Sequence, residues 1–412
     1  MNIRLDTILL FALLVPFIMA NRISPQETPY WLFGLIFLGL LSNIVLDIIK
    51  IQKPLYNRLK QGLLWCLIAA SIGAGFLSAI IVRHRVAPTY MIHDIVLQQE
   101  ASIRFFLDGK NPYNTSYFGT QLESWHYSDT EINPALYYFV MEPFYLLFTL
   151  PFYYGIVHTF GFFDGRIPLF FLFFTTLIFA SKLVVENEKK LLFVILLAFN
   201  PAMLAYTLEG RSDMFVFAFL FVGLYFLYRK KYLFSAVLLA LSFAIKQSVW
   251  PLFPLYLFYL YFKTRSLKKT ATILIPFFVT FISIVAPFFI WNQKAFIEST
   301  LLYVSGGIAH GYPISGYGIG AFLQSIDIIK NKNDYYPFII WQIAICLPLL
   351  FLLFKFLKKH VSVKALIICY GIFLFVFWYF SRYFNNSHVG YLTMVFIAGY
   401  FWPEATDEGA KK

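Results

Sequence analysis

The chain has 412 residues, of which 60% are hydrophobic and 13% charged, and its mean hydropathy is +0.70. Soluble globular domains run near ~45–50% apolar and ~25% charged, so the composition excludes a soluble enzyme and predicts an all-α polytopic membrane protein. The net charge of +12 does not signal a nucleic-acid partner, because fifteen of the 33 Lys and Arg lie in four short loops, where basicity reports topology.

A spanning helix needs about 20 apolar residues. The first run, 5–20, resembles a signal peptide, but Ile18 stands where a small residue would precede cleavage, and the run is read as a retained helix. The clearest spans then follow at 31–49, 63–82, 167–185, 191–208, 213–228, 271–291, 337–354, 365–380 and 389–402. Two stretches are interrupted. Pro143 and Pro151 break 136–163 into short or re-entrant helices, and 232–262 reads as a hairpin with Lys246, Gln247, Pro251 and Pro254 at its tip. The count is 12 to 14 spans in a single membrane domain, 1–412, without a soluble domain or an internal repeat. Cys66, Cys346 and Cys369 sit far apart inside apolar runs, which suggests neither a disulfide framework nor a zinc site.

The positive-inside rule puts the loops bearing Lys50 to Lys60, Arg229 to Lys231, Lys263 to Lys269 and Lys355 to Lys364 in the cytoplasm. Two long segments, 83–134 and 292–336, then face the exported side. The first holds six acids: Asp94, Glu100, Asp108, Glu123, Asp129 and Glu131. Within it, 94–108 predicts an interfacial amphipathic helix. Val96, Ile103 and Leu107 share a stripe, and Glu100, Arg104 and Asp108 recur every four residues on another face. Gly109, Lys110, Asn111 and Pro112 stop it. On spacing alone, its charges are as well explained by pairing in solvent. The second segment carries six glycines from Gly306 to Gly320 with His310, Tyr312 and Tyr317 between them, a loop able to order around a ligand. Lys246 is an ionisable group in an apolar hairpin with no acid near it in sequence, which marks it as a functional candidate.

The string His93-Asp94 through Glu100 to Gly109-Lys110-Asn111-Pro112-Tyr113, in the first long exported segment, resembles the GT-C superfamily of integral membrane glycosyltransferases. It resembles most the bacterial and archaeal mannosyltransferase-like branch that uses polyprenyl-phosphate sugars. The resemblance extends through Asn133-Pro134, Asn200-Pro201, Gly210, Arg211, Asp213, Lys246-Gln247, Tyr312 to Gly318, and Arg382-Tyr383-Phe384. The two spans before residue 63 depart from the plain pattern.

The resemblance implies a GT-C fold in the cytoplasmic membrane with its site on the exported face. It implies inverting transfer of a sugar from a polyprenyl phosphate to a hydroxyl of a lipid, glycan or protein, without a cofactor or metal. Asp94 corresponds to the general base, with Glu100 as a secondary acid or a structural partner of Arg104. Lys246, Arg382 and Arg211 are candidates for the leaving phosphate, since developing charge there needs cationic donors. Arg211 could instead pair with Asp213, and Arg382 could snorkel. His93, Asn111, Tyr113, Asp213, Gln247, His310, Tyr312 and Tyr317 are candidate substrate contacts. A transporter or lipid flippase is the alternative; it would place charged or helix-breaking sites near the midplane.

Overall fold

The apolar runs fold as helices that end where charge, proline or a capping side chain interrupts them. A computed structural model describes residues 3–20, 29–126 and 131–404; Asp129 lies outside them. Helices of more than ten residues are Leu5–Ala20 (α1), Tyr30–Ile48 (α2), Lys53–Arg85 (α3, with a π-turn at Ala69–Gly73), Asp94–Leu107 (α4), Leu150–Phe160 (α5), Arg166–Leu183 (α6) and Asn187–Ala198 (α7). They continue with Asp213–Tyr228 (α8), Tyr232–Phe243 (α9), Leu252–Thr264 (α10), Leu267–Trp291 (α11), Phe338–Lys359 (α12), Val363–Tyr379 (α13) and Asn386–Phe401 (α14). The described strands are two residues each, Ser315–Gly316 (β1) paired parallel to Tyr383–Phe384 (β2), so the protein is all-α.

Among the described residues, α2, α3, α6, α11 and α12 are long and apolar enough to cross a membrane, and α1, α8, α9 and α13 are shorter apolar helices. Helices α11 and α12 leave large apolar side chains such as Phe278, Ile282, Ile343 and Leu347 exposed, as lipid-facing helices do. Helix α8 is buried nearly all round and packs against α6, α9 and α14, which makes it the centre of the bundle. Its first residue, Asp213, is therefore delivered to an interior position at one end.

Local chemistry sets the boundaries. The Ser362 hydroxyl accepts from the Ala365 amide at 3.1 Å to open α13, and the Asn385 amide donates to His388 Nδ1 at 3.1 Å in the capping box that opens α14. The predicted span 191–208 is not continuous. Asn200 Oδ1 accepts from the Ala202 amide at 3.0 Å, Pro201 lacks a donor, and the chain turns before a short helix at Leu204–Leu208. The stretch 136–163 holds two short helices, Pro143–Leu147 and α5, each with proline in its first turn. Tyr232 and Lys263 line one small cavity, so α10 returns to the end where α9 began and the Lys246 turn lies at the opposite end.

Two expectations for the segments 83–134 and 292–336 change. Helix α4 exists, but its charges do not face solvent: all residues from Asp94 to Ile103 are buried. Its glutamines explain how a polar helix can be enclosed. Gln98 Nε2 donates to the carbonyls of Ala135 and Tyr138, and Gln99 Nε2 to that of Tyr145, so the irregular backbone of the following segment finds its partners on α4. The segment 292–336 is not a loop throughout, since it stays helical through Gln293–Ile297, a π-turn and Tyr303–Ser305 before the glycine-rich part begins.

Candidate functional site

Asp94 opens α4 and is buried. Its Oδ1 lies 2.6 Å from His93 Nδ1, and its Oδ2 accepts from Asn133 Nδ2 at 3.1 Å. His93 Nδ1 also stands 3.3 Å from the Ile95 amide, but one nitrogen cannot donate and accept at once. The shorter contact, to Asp94, is the one that makes His93 Nδ1 a donor. The His93 amide donates to the Glu209 carbonyl at 2.8 Å, which fastens the start of α4 to the Glu209–Asp213 turn.

That turn holds the second half of the site. Arg211 Nε is 3.2 Å from Glu209 Oε2 and its guanidinium sits over the Tyr206 ring, so it does not pair with Asp213 as its spacing allowed. Asp213 instead meets Lys246, Nζ to Oδ1 at 2.9 Å, across the α8–α9 hairpin. No sequence neighbourhood announced this pair, because 33 residues separate its members.

Tyrosines join the two halves. Ring centroids run from Tyr138 to Tyr303 at 5.5 Å, Tyr303 to Tyr312 at 6.0 Å, Tyr312 to Tyr383 at 4.5 Å and Tyr383 to His388 at 5.4 Å. Burial pushes the Tyr303, Tyr312 and Tyr383 hydroxyls up. The charge of Asp94 adds to the shift at Tyr303 and Tyr312, and that of Asp213 at Tyr383. Arg211 acts oppositely on Tyr312, so both acids and this base surround one aromatic wall. Neutral phenols beside ionised groups can hydrogen-bond a polyhydroxylated ligand and pack against its apolar faces.

The structure thus brings His93, Asp94, Arg211, Asp213, Lys246 and Tyr312 together. It places other candidates elsewhere. Glu100 is neither beside Asp94 nor paired with Arg104. Both its oxygens bind the Arg83 guanidinium, at 2.7 and 2.8 Å, and Oε1 also accepts from the Gly165 amide. Arg83 in turn reaches Asp164 at 2.8 Å, and Arg166 closes the cluster on the same carboxylate. Burial alone would raise the Asp164 carboxyl. Hydrogen bonds from Arg166 and His84 and the two guanidinium charges hold it well below the usual range. This sealed cluster clamps α4 to the ends of α3 and α6.

Arg382, expected at the phosphate, has another task. Its Nε binds the Tyr312 carbonyl, Nη1 the Asp334 carbonyl at 2.7 Å and Nη2 the Lys332 carbonyl at 3.0 Å. It is buried, and burial pushes its guanidinium down. All three nitrogens staple the segment 292–336 to the chain entering β2, and beside it Gly316 of β1 takes φ +88°, where a Cβ would strike the Phe384 carbonyl. Asn111 Oδ1 accepts from the Tyr113 amide in a turn, and Tyr113 packs on Phe296 with its hydroxyl on the Met141 carbonyl; both serve the core. His310, at φ +57°, stacks on Tyr137 at 4.0 Å, and the Tyr138 hydroxyl donates to the Ala309 carbonyl at 3.0 Å, so the glycine-rich part rests against the start of the stretch 136–163. Tyr317 is 65% exposed. Gln247 turns away toward Glu142, binding its Oε1 at 3.0 Å.

Sequence reasoning missed Asn133 as a side-chain partner of Asp94, and it left Tyr303, Tyr383, His388 and Glu142 out of the candidate site. A buried His, two tyrosines at the starts of very short elements and a glutamate before Pro143 carry no local period. No family model, curated protein or solved structure matches the chain.

Proposed function

We propose that the protein is a GT-C-type membrane glycosyltransferase that moves a sugar, mannose or another hexose or pentose, from a polyprenyl-phosphate donor to a hydroxyl of a lipid, glycan or protein. In this reading it has 12 to 14 spans in a bacterial or archaeal cytoplasmic membrane and works on the exported face. The observation that carries the reading is the convergence of Asp94 with the Lys246–Asp213 and Arg211–Glu209 pairs on one tyrosine-lined end of an otherwise apolar bundle.

Asp94, oriented by His93 and Asn133, takes the proton of the acceptor hydroxyl as its oxygen bonds to the anomeric carbon from the face opposite the phosphate. The bond from that carbon to the phosphate oxygen breaks, and its electron pair leaves with the polyprenyl phosphate. Lys246 and Arg211 supply the cations that meet the developing charge. The tyrosine wall holds the sugar.

The test is incubation of purified protein with radiolabelled polyprenyl-phosphate mannose and a membrane extract. Labelled product that disappears in Asp94→Asn is the expected result. Label that crosses a liposome without forming product would favour transport and overturn the reading.

A further inference from the structure

Outside the groups assigned above, one buried acid is unexplained. Glu142 is 1% exposed, and no lysine, arginine or histidine pairs with it among the described residues. It lies in irregular backbone before Pro143, outside the spanning helices. Its Oε1 accepts from Gln247 Nε2 at 3.0 Å, while Oε2 is buried without a partner among the described residues. Its amide donates to the Ile245 carbonyl at 3.0 Å, and that of Phe144 to the Ala244 carbonyl at 2.9 Å. Gln247 reaches further, to the carbonyls of Val140 at 3.2 Å and Thr300 at 3.0 Å. Three segments, 140–144, 244–247 and the helical start of 292–336, therefore meet at this carboxyl, with Lys246 between its two anchored neighbours.

We propose that Glu142 is a positioning residue for Lys246: its carboxyl on Gln247 and its amide on Ile245 fix the turn that presents the ammonium and lock that turn to the Thr300 helix. This rests on the reading of Lys246 as the cation for the donor phosphate. The protonation state suits the task. Burial pushes the carboxyl up to about 8, against the lowering effect of the Gln247 bond, so it keeps its proton at neutral pH. Tyr113 is the titratable group within its field, and its hydroxyl is already donated to Met141. A neutral carboxyl holds Gln247 without bringing a charge that would compete with Asp213 for Lys246. Because the folded value exceeds the unfolded 4.5, folding favours the protonated form. Stability from this group is complete below pH 4.5, falls as pH rises to about 8 and levels off beyond it.

The experiment uses the full chain, purified in detergent, as wild type, Glu142→Gln and Glu142→Leu. Lys246 acylation by an amine-reactive ester is followed by mass spectrometry, donor KM and kcat are measured with polyprenyl-phosphate mannose, and melting temperature is recorded from pH 5 to 9. In Glu142→Leu we expect Lys246 acylation to accelerate about threefold and donor KM to rise roughly tenfold with a smaller change in kcat. In Glu142→Gln both return to near wild type and the fall in melting temperature from pH 5 to 8 disappears. Unchanged acylation in Glu142→Leu, or failure of Glu142→Gln to rescue, overturns the proposal. If Glu142→Leu does not fold, equal pH slopes in wild type and Glu142→Gln overturn it. If wild type transfers no mannose, the functional reading fails, while acylation and melting still decide Glu142.

Discussion

Lys60 and Lys246 both face aspartates within an apolar helix bundle, and their surroundings differ in every respect that bears on ligand binding. Lys60 is 0% exposed. Its ammonium lies 3.0 Å from Asp6 Oδ2 and 2.8 Å from Asp47 Oδ1, and it donates to Thr7 Oγ1 and Asn43 Oδ1 at 2.5 and 2.6 Å. Asp47 is further held by the Tyr56 and Thr7 hydroxyls. With three protons and four oxygens, that ammonium has nothing left to offer, and the cluster is a knot tying α1, α2 and α3. Lys246 has one oxygen partner among the described residues, Asp213 Oδ1, and its side chain is 21% exposed. A cation with protons to spare and a route to the surface can accept an anion. A lysine whose protons are all engaged ties helices together, whereas one with incomplete coordination keeps the capacity to hold a ligand.

The comparison can be broken at either end. The largest effect is expected for Lys60→Met, which leaves two buried aspartates uncompensated and should cost about 3–5 kcal/mol, read as loss of folded monomer after solubilisation. If the variant melts like wild type, the knot is not structural. Next comes Asp94→Asn, where the carboxamide keeps shape but accepts no proton. Transfer should fall at least ~10²-fold while melting is preserved. Retention of more than about a tenth of wild-type turnover, a barrier change under ~1.4 kcal/mol, removes Asp94 as base.

Lys246 needs a paired change, because Lys246→Met alone strands Asp213. The double variant Lys246→Met with Asp213→Asn should weaken donor binding roughly tenfold and destabilise far less than Lys60→Met. Unchanged donor affinity would move the phosphate role to Arg211. The smallest effect is expected for Tyr317→Ala, within ±0.5 kcal/mol in stability, since the side chain is exposed. A drop of several degrees in melting temperature would show that the glycine-rich segment is packed more tightly than its exposure indicates.

Hydropathy made the helices legible, and α2, α6, α8 and α13 begin and end within about three residues of the runs read from sequence. What it could not reveal is pairing between segments. Glu100 has Arg104 one turn away, which local spacing favours, yet its partner is Arg83, 17 residues earlier across a loop. Gln98 and Gln99 carry no signal in sequence of the carbonyls that an irregular backbone brings to them. Lys246 stands out by residue type and Asp213 through the family resemblance, but their contact depends on how a hairpin closes. Arg382 has the charge of a phosphate ligand, and only the three carbonyls around it show that it is a staple.

The π-turn at Ala69–Gly73 has a consequence for the geometry of α3. Lys60 and Arg83 lie 23 residues apart on this one rod, about 35 Å at 1.5 Å per residue. In an unbroken α-helix they would project about 140° apart, so one would turn outward if the other faced in. A π-turn takes up one extra residue, which cuts the offset to about 40° and lets both reach the interior. The single added residue acts as a phase shifter, keeping the knot at one end and the Glu100–Asp164 clamp at the other in angular step. Removing one residue from 69–73 should leave an unbroken helix with both side chains still in step, whereas inserting one there should throw them about 100° out of phase, and the clamp that seats Asp94 would release although no residue in it had changed.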